Sequence, residues 1–335
     1  MKIHEKYIKR CIEIAKNGLG TTRPNPMVGC VIINNNRIIG EGFTSAYGGN
    51  HAEVNAIQSV SDKTLLKTST LYVTLEPCNH HGKTPPCTQL IIQHEIPHVV
   101  IGTSDSNHIV NGKGIEALKN AGCTVTVGIL ETECKIHHKR FLTFHNKKRP
   151  YIILKWAETN NGFIAPESKR SKMPVWISSQ ISRQLVHKWR TEEHAILVGA
   201  QTVLSDNPEL TARTWKGQNP IRIVLDSYGT LPKSNLIFNN EAKTLVYSAG
   251  EIDFSKNPVK QLMDLLYLEH IQSVIIEGGR KTLQAFINEN LWDEARVFKS
   301  ETVMFSNGVK APEFNACPSK KTTLATDTLS YYYND

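Results

Sequence analysis

A chain of 335 residues is longer than one ordinary core, so two domains are expected, and 40% hydrophobic with 21% charged residues excludes a disordered chain. No run of about 18 apolar residues and no apolar leader follows Met1-Lys2-Ile3-His4, which excludes membrane insertion and export, so a cytoplasmic protein without a membrane partner is expected. The charge of +8 is scattered, its one cluster Lys147-Lys148-Arg149 reads as solvated connector charge rather than a nucleic-acid contact, and seven irregularly spaced cysteines do not form a disulfide framework.

Apolar residues at Ile8, Cys11, Ile12, Ala15 and Leu19 predict an opening amphipathic helix that ends near Gly18 and Gly20. Gly29-Cys30-Val31-Ile32-Ile33 and Arg37-Ile38-Ile39-Gly40 flank three asparagines, which predicts a hairpin. A helix at 51–60, a strand at 71–75, a helix from Cys87, a strand at 99–102, a helix at 114–121 and a strand at 124–127 complete an α/β first half. The polar run 146–150, ending in Pro150, is the expected linker. Beyond it come strands at 151–155, 195–198, 221–225, 244–247 and 273–276, with helices at 179–190 and 261–268.

The chemically dense residues are His51-Ala52-Glu53, Glu76-Pro77-Cys78 and Cys87. One imidazole and two thiolates make three ligands for a tetrahedral zinc and leave the fourth position open, which is the pattern of a catalytic site. Glu53, two residues from His51, is placed to shuttle protons without binding the metal. A lone histidine before a helix is more often a cap, and a lone cysteine a small core residue. Their joint order nevertheless matches the zinc deaminase signature.

Eight residues separate Cys78 from Cys87, where nucleobase deaminases usually have two. With that insert, Arg23-Pro24-Asn25-Pro26-Met27-Val28-Gly29-Cys30, His51-Ala52-Glu53 and the stretch from Thr74-Leu75-Glu76-Pro77-Cys78 to Pro86-Cys87 resemble the deaminase half of the bifunctional riboflavin-biosynthesis proteins, the RibD family. The resemblance implies a cytidine-deaminase-like three-layer α/β/α domain over 1–145. It implies that zinc hydroxide deaminates 2,5-diamino-6-(5-phosphoribosylamino)pyrimidin-4(3H)-one while Glu53 moves the protons, with Asn25, His80 and Lys83 holding the substrate.

In the second half, Arg149-Pro150-Tyr151, Trp176-Ile177-Ser178-Ser179, Val186-His187-Lys188-Trp189-Arg190, the run from Ala195 to Pro208 and Ile275-Ile276-Glu277-Gly278-Gly279 resemble the reductase half of the same family. A dihydrofolate-reductase-like α/β domain over 151–335 is thereby implied, with NADPH contacts at Ala157, Trp176, Thr202, Asp206, Ser227 and from Gly279 on. Substrate contacts would fall at Arg190, Leu210, Arg213 and Glu277, and a small-molecule partner and a homo-oligomer are expected. On chemistry alone, Arg190 and Arg213 suit a phosphate, and Lys155 at the end of an apolar strand needs a partner, either a ligand or Glu277. Gly278-Gly279 opens a helix onto a phosphate or is simply a turn, and without the full G-x-G-x-x-G fingerprint no Rossmann domain is expected.

Three departures stand out. Thr159-Asn160-Asn161-Gly162 replaces the usual Ser-Leu-Asp-Gly and loses a carboxylate, Asp105-Ser106-Asn107-His108 replaces Asp-Pro-Asn-Pro, and Pro174 replaces a polar residue. Two alternatives are a deaminase with an impaired reductase half and a tRNA deaminase, the latter opposed by the wide cysteine spacing.

Overall fold

A computed structural model describes residues 2–80, 85–105, 112–168 and 175–334. The chain forms two compact units that divide between Lys148 and Arg149. Among the described residues no helix is long and apolar enough to cross a membrane.

The first unit contains α1 (Lys2–Ala15), β1 (Gly29–Asn34), β2 (Arg37–Phe43), α2 (Ala52–Ser59), β3 (Thr70–Leu75) and α3 (Cys87–Gln93). It continues with β4 (His98–Thr103), α4 (Lys113–Asn120), β5 (Thr124–Val127), α5 (Glu131–His137) and α6 (Lys139–Lys147). The strands form one sheet in the order β2-β1-β3-β4-β5. Asn35 and Asn36, at φ 46° and 62°, make the β1–β2 turn, a conformation asparagine tolerates. Alternation along β1 sends Cys30 and Ile32 to one face, with Ala56 and Ile57 of α2 and Ile91 of α3, and Val31 and Ile33 to the other, with Ile8 and Cys11 of α1. The result is three layers, helices on both faces of a sheet.

Helix α6 runs on through Lys147 because Phe141 and Phe144 bury its inner face. The run 146–150 is therefore helix in its first two residues. Nor is Arg149 solvated connector charge: its guanidinium donates at 2.6 and 2.9 Å to Asp293, and that carboxylate also accepts from the Ile152 N–H.

The second unit contains β6 (Tyr151–Glu158), β7 (Phe163–Pro166), α7 (Gln180–Glu192), β8 (Ala195–Gly199), α8 (Ala200–Asp206), β9 (Ile221–Leu225) and β10 (Thr244–Tyr247). Then come α9 (Pro258–Leu268), β11 (Ser273–Ile276), α10 (Arg280–Asn288), β12 (Glu294–Ser300), β13 (Gly308–Lys310), β14 (Lys320–Leu324) and β15 (Asp327–Tyr333). The main sheet runs β10-β9-β8-β11-β6-β12-β15-β14, with β7 and β13 paired separately. Strands β10 to β12 are parallel and β15 and β14 antiparallel. Leu262, Leu266 and Phe286 of α9 and α10 pack on one face, and Val186 and Trp189 of α7 with Val203 of α8 pack on the other. Parallel order places the carboxyl ends of β6, β8 and β11 side by side, the end of such sheets where ligands are bound.

Candidate functional site

In the first unit, α2 begins at Ala52 with His51 as its N-cap in extended backbone, and the His51 side chain makes no cap hydrogen bond. The helix lies so close to β2 that a Cβ on Gly42 would meet Ala56 N at 2.3 Å, which fixes where His51 and Glu53 stand. Cys87 opens α3, and Cys78 lies in the loop after β3 rather than in a helix. The Cys87 N–H donates to Cys78 Sγ at 3.4 Å, and the Thr88 N–H to the Cys78 carbonyl at 3.2 Å.

The three predicted ligands converge. His51 Nδ1 is 3.3 Å from Cys87 Sγ and 3.5 Å from Cys78 Sγ, and all three donor atoms lie within 4.8 Å of one another. With zinc–sulfur and zinc–nitrogen bonds of about 2.3 and 2.05 Å at tetrahedral angles, a nitrogen–sulfur edge is about 3.6 Å. The donor set and its spacing therefore fit zinc. Hydrogen bonding from the Cys87 thiol, helped by His51, holds the Cys78 thiol far below its usual range and favours thiolate. Glu53 is 3% exposed; burial, and then the Cys78 thiolate, push its carboxyl up to about 7. A bound dication pulls the other way.

Asn25 is half-buried in the segment before β1 and His80 is exposed after Cys78; neither hydrogen-bonds to the three donors. Lys83 lies outside the described residues, as do Ser106, Asn107, His108 and Pro174. A support not foreseen is the pair His137 and His138: His137 Nε2 donates to the Met27 carbonyl at 2.8 Å, and His138 Nε2 meets Thr74 Oγ1 at 3.1 Å. His137 holds the segment that carries Asn25 to the end of α5, and His138 beside it holds that end to β3.

In the second unit, a cleft of about 450 Å³ opens at the carboxyl ends of β6, β8 and β11. Of the predicted residues, Lys155, Trp176, Arg190, Thr202, Asp206, Leu210, Arg213 and Glu277 line it. Lys155 Nζ is 3.9 Å from Glu277 Oε1, so the buried lysine finds its partner within the chain. Arg190 donates to Glu277 Oε2 and to the Thr211 carbonyl, both at 3.0 Å, and only its Nε lacks a partner. It is the anchor of Glu277 rather than a free fork for phosphate. Arg213 pairs with Glu209 at 2.9 Å. Leu210 sits at φ 55° while 4% exposed, the kind of backbone outlier that gathers at functional sites.

Trp176 is 56% exposed, with the Arg183 guanidinium 4.7 Å above its ring. Gly278 packs onto β8, where a Cβ would stand 2.3 Å from Val198 Cα, and Gly279 adopts φ 42° beside Thr202 as α10 begins. Ala157 is half-buried on β6 opposite Phe298, and Ser227 lines a separate depression with Tyr228 and Phe254; neither lines the cleft. His187, not foreseen, does line it, and its signal was the i, i+3 spacing to Arg190 on α7. Asn161 is a turn residue: its amide donates to the Phe305 carbonyl at 2.7 Å and its oxygen accepts from Thr159 Oγ1 at 2.8 Å. A carboxylate there would lack the donor for Phe305.

The family described as cytidine and deoxycytidylate deaminase zinc-binding region matches residues 1–103, a span that includes His51, Cys78 and Cys87, and the RibD C-terminal domain matches 150–303. Riboflavin biosynthesis protein RibD of Aquifex aeolicus is 39% identical over 323 residues, covering 90% of this chain and 88% of the relative. The chain belongs to the RibD family. Another RibD, from Actinobacillus pleuropneumoniae, is 46% identical over 294 residues, or 82% of this chain and 77% of its own. A solved diaminohydroxyphosphoribosylaminopyrimidine deaminase/5-amino-6-(5-phosphoribosylamino)uracil reductase from Thermotoga maritima superposes with a TM-score of 0.90 at 39% identity, covering 100% of this chain and 99% of that one. RibD of Acinetobacter baumannii gives 0.87 at 31% identity, covering 99% of each chain. Both halves of this bifunctional riboflavin-biosynthesis enzyme, a zinc-binding deaminase region and a domain resembling the NADPH-dependent RibD reductases, are thus present in the chain.

Proposed function

We propose that the first unit deaminates 2,5-diamino-6-(5-phosphoribosylamino)pyrimidin-4(3H)-one to 5-amino-6-(5-phosphoribosylamino)uracil, and that the second reduces its ribosyl group to ribityl with NADPH. The observation that carries this reading is the convergence of His51, Cys78 and Cys87 beside a buried Glu53. Zinc, when bound, supplies the Lewis acidity that makes water nucleophilic at neutral pH. His51 Nδ1 and the two Sγ atoms hold the ion, and the Cys87 N–H helps keep Cys78 as thiolate. Glu53 takes a proton from the attacking water and returns it to the amine nitrogen that leaves as ammonia. Its place, buried and two residues from the ligand His51, suits a group that both accepts and donates a proton there. Asn25, His80 and Lys83 orient the ring and phosphoribosyl group.

In the second unit, NADPH, when bound, would supply the hydride that reduces C1′ of the ring-opened ribosylimine, with a proton from solvent completing the amine. Thr202, Asp206, Gly279 and the start of α10 hold the cofactor, with Trp176 at the mouth and Ala157 and Ser227 as outlying contacts. Lys155, Arg190, Leu210, Arg213 and Glu277 bind the substrate. Arg190 Nε and Glu277 Oε1 in the wall of the cleft support this: neither makes a hydrogen bond, Oε1 having only the 3.9 Å ion pair with Lys155, and buried polar atoms without hydrogen bonds are rare and point to a ligand. Replacement Glu53→Gln tests the first assignment: zinc content stays and ammonia release falls by on the order of 10²–10⁴-fold. Retained turnover removes the role.

A further inference from the structure

Glu76 is buried, 4% exposed, immediately before Pro77-Cys78, and the chemistry above does not use it. Its N–H donates to the Thr103 carbonyl at 3.0 Å, which ties it to the end of β4. Its carboxylate accepts four backbone N–H groups: Gly114 and Ile115 on Oε1 at 2.9 and 3.2 Å, and Gly112 and Asp105 on Oε2 at 3.1 and 3.2 Å. Three of these donors belong to the start of α4 and its cap, where the helix leaves N–H groups unsatisfied and favours negative charge.

The start of α4 in turn presses on the metal loop. A Cβ on Gly114 would stand 2.2 Å from the Pro77 carbonyl, and Asn79 Nδ2 donates to the Lys113 carbonyl at 3.3 Å. On the other side, Thr88 bonds to Cys78 through its N–H at 3.2 Å and to Asn79 through its hydroxyl at 2.7 Å. Cys78 is therefore flanked on both sides by fixed residues, with the start of α3 on one side and Glu76 with the start of α4 on the other.

We propose that Glu76 is the positioning residue that sets Cys78 in its ligating place, by clamping the start of α4 against the Pro77-Cys78 loop. This rests on the reading of His51, Cys78 and Cys87 as zinc ligands. Glu76→Gln keeps the size but turns an NH₂ group toward backbone donors, so two of the four bonds have no acceptor. Gly114→Ala disturbs the same contact from the helix side and leaves the carboxylate in place.

The test measures zinc affinity of the full chain by chelator competition, the thiolate-to-cobalt absorption of the Co²⁺-loaded protein, and ammonia release at saturating zinc. Both variants are expected to bind zinc on the order of 10–100-fold more weakly, with a weakened cobalt–thiolate band and with ammonia release recovering as zinc is raised. Wild-type affinity and an unchanged cobalt spectrum in both variants overturn the proposal. So does loss of the folded first unit in both while the second unit still oxidises NADPH, because the role is then purely structural. If Cys78→Ser leaves the zinc affinity of the otherwise wild-type chain unchanged, it is the ligand assignment that fails.

Discussion

Arg190 Nη2 stands 3.0 Å from Glu277 Oε2, and both side chains are largely withdrawn from water. Burial alone would push the Glu277 carboxyl up, but Arg190 and Lys155 outweigh it, and the group stays ionised with its pKa lowered. Glu277→Gln removes that charge and leaves Arg190 and Lys155 facing each other without an anion. Reductase kcat/KM is expected to fall by on the order of 10²-fold, because a displaced Arg190 or Lys155 misaligns the substrate. Ammonia release is expected to stay within twofold of wild type when the two reactions are assayed separately.

His187 lines the same cleft, and burial, then Arg190 and Arg213, depress its pKa to about 4. The folded chain holds a neutral imidazole where the unfolded chain, with a pKa of about 6.5, accepts a proton. The unfolded state therefore binds more protons between pH 6.5 and 4, so this histidine's contribution to stability is full above that window and is lost as pH falls through it. His138, buried and depressed by desolvation and by His137, acts in the same direction in the first unit. An NMR titration of the ring protons of His187 should give a pKa below 5. A value near 6.5 contradicts the environment described.

Asp327 opens β15, accepts from the Ser179 N–H at 2.7 Å and Ser182 Oγ at 2.5 Å, and so fixes the start of α7, the helix that carries His187 and Arg190. Asp327→Ala strips both bonds from a fully buried position. Urea unfolding of the second unit is expected to show a loss of about 1.5–3 kcal/mol, together with a raised KM in the reductase reaction. An unchanged midpoint would show that β15 does not hold α7 in place.

Much of the architecture was legible because the signals were local. The Asn34-Asn35-Asn36 hairpin, the stripe from Ile8 and the apolar runs at 71–75, 195–198 and 273–276 each carry their own period. Strand β12 escaped because Glu294 and Arg296 interrupt its apolar pattern. Both are buried, paired with each other at 2.7 Å and, through Arg296, with Glu193 at 3.3 Å, and such compensation from another element leaves no trace in the strand's own residues. The metal donors were legible from residue type and order, since chemistry restricts what binds zinc. Beyond its i, i+3 spacing to Arg190, the place of His187 was not, nor was the anchoring role of Arg190, because both depend on which side chains three separate elements, α7, β6 and β11, bring to one sheet end. Arg149 read as connector charge for the same reason: its partner Asp293 is far along the chain.

We propose that one chain carries two independent active sites, the first requiring zinc and the second not. The direct measurement strips zinc with a chelator and follows two signals: ammonia released from the diaminopyrimidine substrate, and NADPH oxidised with the deaminated uracil compound supplied ready-made. Ammonia release should vanish and return with about one equivalent of zinc, while NADPH oxidation continues unchanged throughout. Ammonia release that survives full zinc removal, or NADPH oxidation that stops with it, contradicts this division of labour.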